Sequence, residues 1–267
     1  MSLPLGSSDI TLLEAARLYQ VMMTGETYRF YPDPLALDAT LAADAATGEK
    51  GAEAAWQEPY DARRVSPFPA TAIIWEIALP DGRIVYQAAR GVEPVQGAGV
   101  SGDLGGMLRR VVSHGTGRRA EGKIGPTSED PARAAELGTL GVRVPLFGKT
   151  GTTNSYKNSA FVGMVPGLPE GGDRLRWGEG HVIATYVGYD DNREMRRGGI
   201  RIAGSSGSLP VWMGAAEAVV AAGDIGDLVD LADLAFSGGS TLGLDWPEGF
   251  VPITVDARTG LPVVQLD

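Results

Sequence analysis

Apolar residues first recur with a clear period at Leu12, Ala15, Ala16, Tyr19, Met22 and Met23, a spacing that places them on one face of a helix. Thr11-Leu12-Leu13-Glu14 ahead of them has the form of a capping box, and Gly25 follows as a stop, so a helix is predicted from about Thr11 to Met23. From about Glu26 to Ala70 the period fades among Pro32, Pro34, Pro59, Pro67 and Pro69 around an Ala-rich acidic middle, which reads as an excursion without a strong period. Thr71–Leu79 and Arg83–Gln87 flank Pro80-Asp81-Gly82, the pattern of two strands around a tight turn. A second helical stripe, Leu104, Met107, Leu108, Val111 and Val112, predicts a helix from Asp103 to Ser113, with Asp103 as N-cap and Gly115-Thr116-Gly117 as terminator.

Val142 to Thr153 alternates as a strand, and Pro145 inside it leaves one side without a ladder partner, so it is expected at a sheet edge. Ser159–Val165 and His181–Tyr189 are two further strands, separated by the glycine-rich charged loop Gly167–Gly180 and therefore antiparallel. A last long helix runs to about Ala222 with Pro210 near its first turn, where a missing amide costs little. The tail offers a strand at Val251–Val255 and a turn at Thr259-Gly260. The elements add up to an α+β fold, an antiparallel sheet with packed helices.

Composition narrows the partners. The 267 residues are 43% hydrophobic and 21% charged, ordinary for one large core or two modest domains. A net charge of -10 repels both nucleic acid and an anionic membrane surface as a main partner. The absence of cysteine removes disulfides, thiolate nucleophiles and sulfur metal sites. His114 and His181 are too far apart in sequence to suggest a metal pair, and no cofactor is implied. The most apolar late segment, Val211 to Ala222, is short and broken by Gly214 and Glu217, so no membrane segment is expected.

The chemistry concentrates in Phe147-Gly148-Lys149-Thr150-Gly151-Thr152-Thr153-Asn154. Lys149 supplies a compact positive charge, Thr150 and Thr152 supply hydroxyl donors, and Gly151 lets a ligand approach the backbone. On a strand this is a carboxylate-binding surface. Competing motifs are weaker. Gly97-Ala98-Gly99-Val100-Ser101-Gly102 fits a dinucleotide fingerprint, but Val92-Glu93-Pro94-Val95-Gln96 before it is too short and polar for a buried parallel strand. Tyr156-Lys157-Asn158 reads as loop chemistry, and Asp224–Asp233 with Leu228, Leu231 and Leu234 as a solvated amphipathic helix. No Gly-x-Ser-x-Gly elbow supports a serine triad.

The extended Lys-Thr-Gly-Thr-Thr-Asn pattern, with the apolar strand Ala160–Pro166 after it, is similar to the third active-site motif of the class A, high-molecular-weight penicillin-binding proteins. Other segments agree in order. Leu5-Gly6 and Ile10 to Tyr19 resemble that family's helix between its second and third motifs, and Val111-Val112-Ser113-His114-Gly115-Thr116-Gly117 its Val-Val-x-x-Gly-Thr-Gly segment. Tyr186–Asn192 resembles the strand that follows, Gly204–Trp212 the glycine-rich approach to the final helix, and Trp246-Pro247 to Gly260 a C-terminal extension.

The resemblance implies part of a penicillin-binding-protein/β-lactamase-like transpeptidase fold and serine acyl transfer on peptidoglycan D-Ala-D-Ala ends. It makes Lys149 a catalytic-site cation, and Thr150, Gly151, Thr152 and Thr153 binders of the stem peptide or a β-lactam. The Thr152 amide becomes an oxyanion donor, a contribution worth roughly 2.7–4 kcal/mol where such donors are removed. It also implies a bacterial periplasmic or extracytoplasmic setting at the inner membrane.

No serine here has a lysine three residues on, and no Ser-x-Asn occurs. The family's other two motifs lie upstream of the capped helix, so the chain is expected to begin after them and to be inactive without that N-terminal half. A glycosyltransferase domain and a membrane anchor would lie further upstream by the same resemblance. Asn158-Ser159-Ala160-Phe161 also departs from the family's Asp-Ala-Trp-Phe. Residues 1–222 are expected to form the C-terminal portion of the transpeptidase domain, with 26–70 inserted or divergent, and 223–267 an extension. The alternative is a noncatalytic module that binds stem peptide or a cell-wall partner.

Overall fold

Helix α1, Leu12–Thr24, begins at Thr11, whose hydroxyl accepts from Glu14 N at 3.1 Å while Glu14 Oε2 accepts from Thr11 N at 2.7 Å. The Thr11 donors hold the exposed Glu14 carboxyl below its ordinary pKa range. The helix ends at Gly25, φ 73°, the left-handed cap a glycine adopts without strain. The computed structural model describes residues 10–32, 74, 76–95, 101–232, 234, 240–247 and 250. Two compact units emerge, Met1–Gly25 with Gly97–Asp267, and Glu26–Gln96.

The second unit carries strands β1 (Glu26–Pro32), β2 (Glu76–Ala78) and β3 (Ile84–Pro94), in the order β1-β3-β2. The predicted hairpin is there: β2 and β3 pair antiparallel, and Asp81 Oδ1 accepts from Arg83 N at 2.9 Å in the turn. Strand β1 lies in the stretch whose sequence shows no strong period. Thr27, Tyr28, Arg29 and Phe30 alternate polar and aromatic, a strand period too short to stand out beside the prolines, and the ladder with β3 from Glu26↔Pro94 to Pro32↔Ala88 supplies what the local pattern lacks.

The first unit is built on a sheet ordered β4-β5-β6-β9, formed by Phe147–Thr152, Asn158–Gly167, Leu175–Gly188 and Leu244–Asp245. Strands β4, β5 and β6 run antiparallel, and β9 adds a short parallel pair on β6. A two-residue hairpin, β7 (Arg196–Arg197) and β8 (Ile200–Arg201), stands apart. The helices are α2 (Ser101–Ser113), α3 (Pro131–Leu140), α4 (Ser208–Ala222) and the single turn α5 (Ile225–Leu228). No described helix is long and apolar enough to cross a membrane.

Several boundaries differ from the sequence reading for identifiable reasons. Helix α2 starts at Ser101, so Asp103 lies in its first turn, where a carboxylate still favours the helix dipole. The strand expected from Val142 is regular only from Phe147, because Arg143 N donates to Ser240 O at 2.7 Å and Val144 N to Ile124 O at 3.0 Å. Pro145 therefore lies ahead of β4 and does not explain its edge position. Strand β6 takes in Leu175–Gly180 of the expected loop, leaving a shorter connection. The helix expected over 224–233 is interrupted after the turn α5, because Arg133 donates to Gly226 O at 2.8 Å and Val229 O at 2.5 Å while Ile225 and Val229 are buried, and helical backbone returns only at residue 232. The strand and turn expected at 251–260 lie outside the described residues.

One face of the sheet packs on α4. Trp212 is fully buried, tilted against Phe161 at 4.9 Å between ring centres, and donates from Nε1 to Ile183 O at 3.0 Å. A second cluster joins Met23, Leu108, Phe147, Met164 and Trp177. Phe147 meets two indoles edge-on, 5.1 Å from Trp177 and 5.8 Å from Trp246, and those indoles stack on each other at 5.3 Å. Phe147 thereby anchors the start of β4 between α1 and α2.

Candidate functional site

Strand β4 is the outer strand of its sheet among the described residues, paired with β5 from Phe147↔Met164 to Thr152↔Ser159. One step beyond, Thr153 N donates to Asn158 O at 3.0 Å. Bonded and non-bonded pairs alternate along an antiparallel ladder. Lys149 and Gly151 therefore turn their amides toward β5, whereas Gly148, Thr150 and Thr152 turn theirs to the outer edge. The exposed Lys149 Nζ donates to Thr150 O at 2.8 Å, on that same edge, and its remaining N–H groups are available to an anion.

Side chains alternate as well, so Thr150 and Thr152 share the face opposite to Lys149. Thr150 Oγ1 lies 2.6 Å from Thr116 Oγ1, a hydroxyl presented by the Gly-Thr-Gly turn after α2. Thr152 Oγ1 accepts from Gly204 N at 2.9 Å. Gly204 fits here because it has no Cβ: one would stand 2.7 Å from Gly151 O and 2.9 Å from Thr150 Cβ. At Gly151 an added Cβ would meet only Ala160, at 3.4 Å, so the chain's own packing does not require a glycine there.

Behind Gly204 a buried hydroxyl relay fixes the loop. Ser159 Oγ donates to Ala203 O at 3.0 Å, Ser208 N donates to Ser159 Oγ at 2.9 Å, and Ser208 Oγ donates to Gly204 O at 3.1 Å. Ser159 occupies one of the positions where the chain departs from the family pattern, and its hydroxyl ties β5 to this loop.

Thr153 is occupied differently, its Oγ1 accepting from Asn158 N at 2.9 Å to close the turn after β4. That turn holds Ser155 and Tyr156 at φ 62° and 55°, a left-handed conformation costing roughly 1–2 kcal/mol per non-glycine residue. Met195 N, donating to Tyr156 O at 2.8 Å, pins it. Asn158 accepts from the Tyr186 hydroxyl at 2.6 Å, so Tyr156-Lys157-Asn158 belongs to loop and strand. His114 is an exposed residue whose ring lies 2.7 Å from Ser113 Oγ, and His181 is on β6. Residues 97–100 of the glycine-rich motif lie outside the described residues.

Lys149, Thr150, Gly151 and Thr152 are thus contiguous on one open strand, as their spacing implies. Thr116 and Gly204 were not singled out for this role from sequence. Their glycine-rich segments were visible, but the contacts with Thr150 and Thr152 join positions 34 and 52 residues apart.

No protein-family model matches the chain. A 118-residue stretch, 44% of the chain, is 33% identical to penicillin-binding protein 1A of Neisseria cinerea and spans 10% of that protein. A 75-residue stretch, 28% of the chain, is 39% identical to penicillin-binding protein 1A of Neisseria flavescens and spans 7% of it. The matches therefore cover about a tenth or less of these relatives' length. The crystal structure of penicillin-binding protein 1A from Haemophilus influenzae aligns with 99% of the chain and 32% of its own, at a TM-score of 0.50 and 18% identity, a likeness of fold.

Proposed function

We propose, from the chain's similarity to penicillin-binding protein 1A relatives, that it corresponds to the C-terminal part of a class A transpeptidase domain and supplies the carboxylate-binding and oxyanion wall of a peptidoglycan D-Ala-D-Ala transpeptidase site. The observation that carries this reading is strand β4, whose outer edge carries the Lys149 ammonium and the outward Thr152 amide while the Thr150 and Thr152 hydroxyls stand together on one face beside that edge. Thr150, backed by Thr116, donates to the terminal carboxylate of a stem peptide or β-lactam. Lys149 provides the positive field, and the Thr152 amide receives the developing oxyanion. At Gly151 a bound peptide backbone meets no side chain.

The chain contains no Ser-x-x-Lys, so on this reading acylation requires a serine nucleophile supplied in trans or by another segment, and the setting is periplasmic as in a peptidoglycan synthase. Incubation with a fluorescent penicillin is expected to leave no covalent label. Titration with an unlabelled penicillin is expected to shift the Thr150 and Thr152 amide resonances reversibly, and Lys149→Ala to weaken that response. Covalent labelling at a serine, or shifts confined to other strands, would sink the reading. The noncatalytic binding module makes the same strand a recognition groove. It is favoured instead if penicillin or stem peptide binds this strand reversibly while no added segment bearing Ser-x-x-Lys and Ser-x-Asn yields penicillin acylation.

A further inference from the structure

Arg196 and Arg201 face one another directly across the β7–β8 hairpin, a pairing of like charges that destabilises a ladder unless an anion lies over it. Arg196 is ion-paired with Glu194. Arg201 has no carboxylate partner among the described residues, and its guanidinium lies 5.6 Å from the centre of the Tyr156 ring. Arg193 is otherwise engaged, over the Tyr189 ring at 3.9 Å and 3.7 Å from Asp191. In a chain of net charge -10, this face of the hairpin is a local reversal of sign.

The hairpin is tied to the end of the carboxylate strand. Met195 N donates to Tyr156 O at 2.8 Å and Ile202 N to Met195 O at 3.1 Å, and Gly204 N reaches Thr152 Oγ1 at 2.9 Å. A peptide paired antiparallel along the outer edge of β4, its C-terminal carboxylate at Thr150 and Thr152, sends its preceding residues toward Tyr156 at about 3.4 Å each.

We propose that Arg201, with Arg196 beside it and the Tyr156 ring against it, forms a second anion subsite that takes a side-chain carboxylate of an acidic peptide gripped by β4. The subsite rests on the carboxylate-strand reading above and adds to it a preference for negative charge upstream of D-Ala-D-Ala. Arginine suits the task because its planar fork binds a carboxylate while its face stacks on an aromatic ring. Arg197 provides an internal control, since it is adjacent in sequence, equally charged, and directed to the opposite face of the hairpin.

The test titrates the 267-residue chain, followed by amide resonances, with two N-acetylated peptides, Glu-Glu-D-Ala-D-Ala and Gln-Gln-D-Ala-D-Ala. Both are expected to shift Thr150 and Thr152, with the glutamate peptide bound about fivefold more tightly at low salt and the advantage shrinking as salt is added. Arg201→Ala and Arg201→Gln are expected to abolish the difference, and Arg197→Ala to retain it. Equal binding of the two peptides overturns the subsite and leaves the carboxylate strand standing. Equal losses in the Arg197 and Arg201 variants also overturn it, reducing the effect to net charge. If neither peptide reaches Thr150 and Thr152, the carboxylate strand itself fails and the subsite falls with it.

Discussion

Thr152→Val would leave the buried Gly204 amide without the acceptor it has at 2.9 Å. An unsatisfied buried donor costs about 1–3 kcal/mol, so urea unfolding should show a loss of that order, and Thr152→Ser should recover most of it. Gly204→Ala acts on the same contact from the other side. Its Cβ would crowd Gly151 O and Thr150 Cβ, and it is expected to weaken penicillin binding by displacing the strand as well as to destabilise the fold by about 1–3 kcal/mol. Tyr19 sets a pH limit, because burial pushes its phenol from 10.0 up to about 12. The folded form holds the proton more tightly than the unfolded chain. Stability is therefore unaffected below pH 10 and declines as the pH rises from about 10 to about 12. Chemical unfolding across that range should show the decline, and Tyr19→Phe should flatten it.

Strand β4 matters as an element because only half of its backbone is committed to the sheet. Amide hydrogen exchange should alternate along it, slow at Lys149 and Gly151 and fast at Thr150 and Thr152. Uniform protection would mean that the outer edge is covered and unable to pair with a peptide. Helix α4 holds the neighbouring strands β5 and β6 through Trp212, which is fully buried, packed on Phe161 and bonded to Ile183 O at 3.0 Å. Trp212→Ala should cost about 3–5 kcal/mol, a large fraction of a domain's total stability, measurable as a shift in the urea midpoint. The loop from Ala203 to Ser208 reaches Thr152 only because the Ser159–Ser208 relay fixes it.

For the molecule as a whole, an outer strand with committed and uncommitted sides, together with exposed Leu12, Leu13 and Leu18 on α1, favours self-association. Sedimentation over a concentration series is expected to show the average mass rising, and a constant monomer mass would refute this. Periodicity and caps in the sequence determined α1, α2, α4, the β2–β3 hairpin and the antiparallel β5–β6 pair, because each rests on neighbours a few residues apart. Residue types at Lys149, Thr150 and Thr152 likewise suggested the carboxylate-binding role proposed for β4. Tertiary structure alone decided the rest. Strand β1 forms on β3 some sixty residues away in sequence, at Glu26↔Pro94 and beyond. The helix begun at Ile225 is interrupted where Arg133 takes its carbonyls, and β4 is an edge through the order of the sheet, without help from Pro145. Thr116 and Gly204 reach β4, and Arg201 the Tyr156 ring, through contacts between residues far apart in sequence, and no local pattern encodes which distant hydroxyl, amide or guanidinium will arrive there.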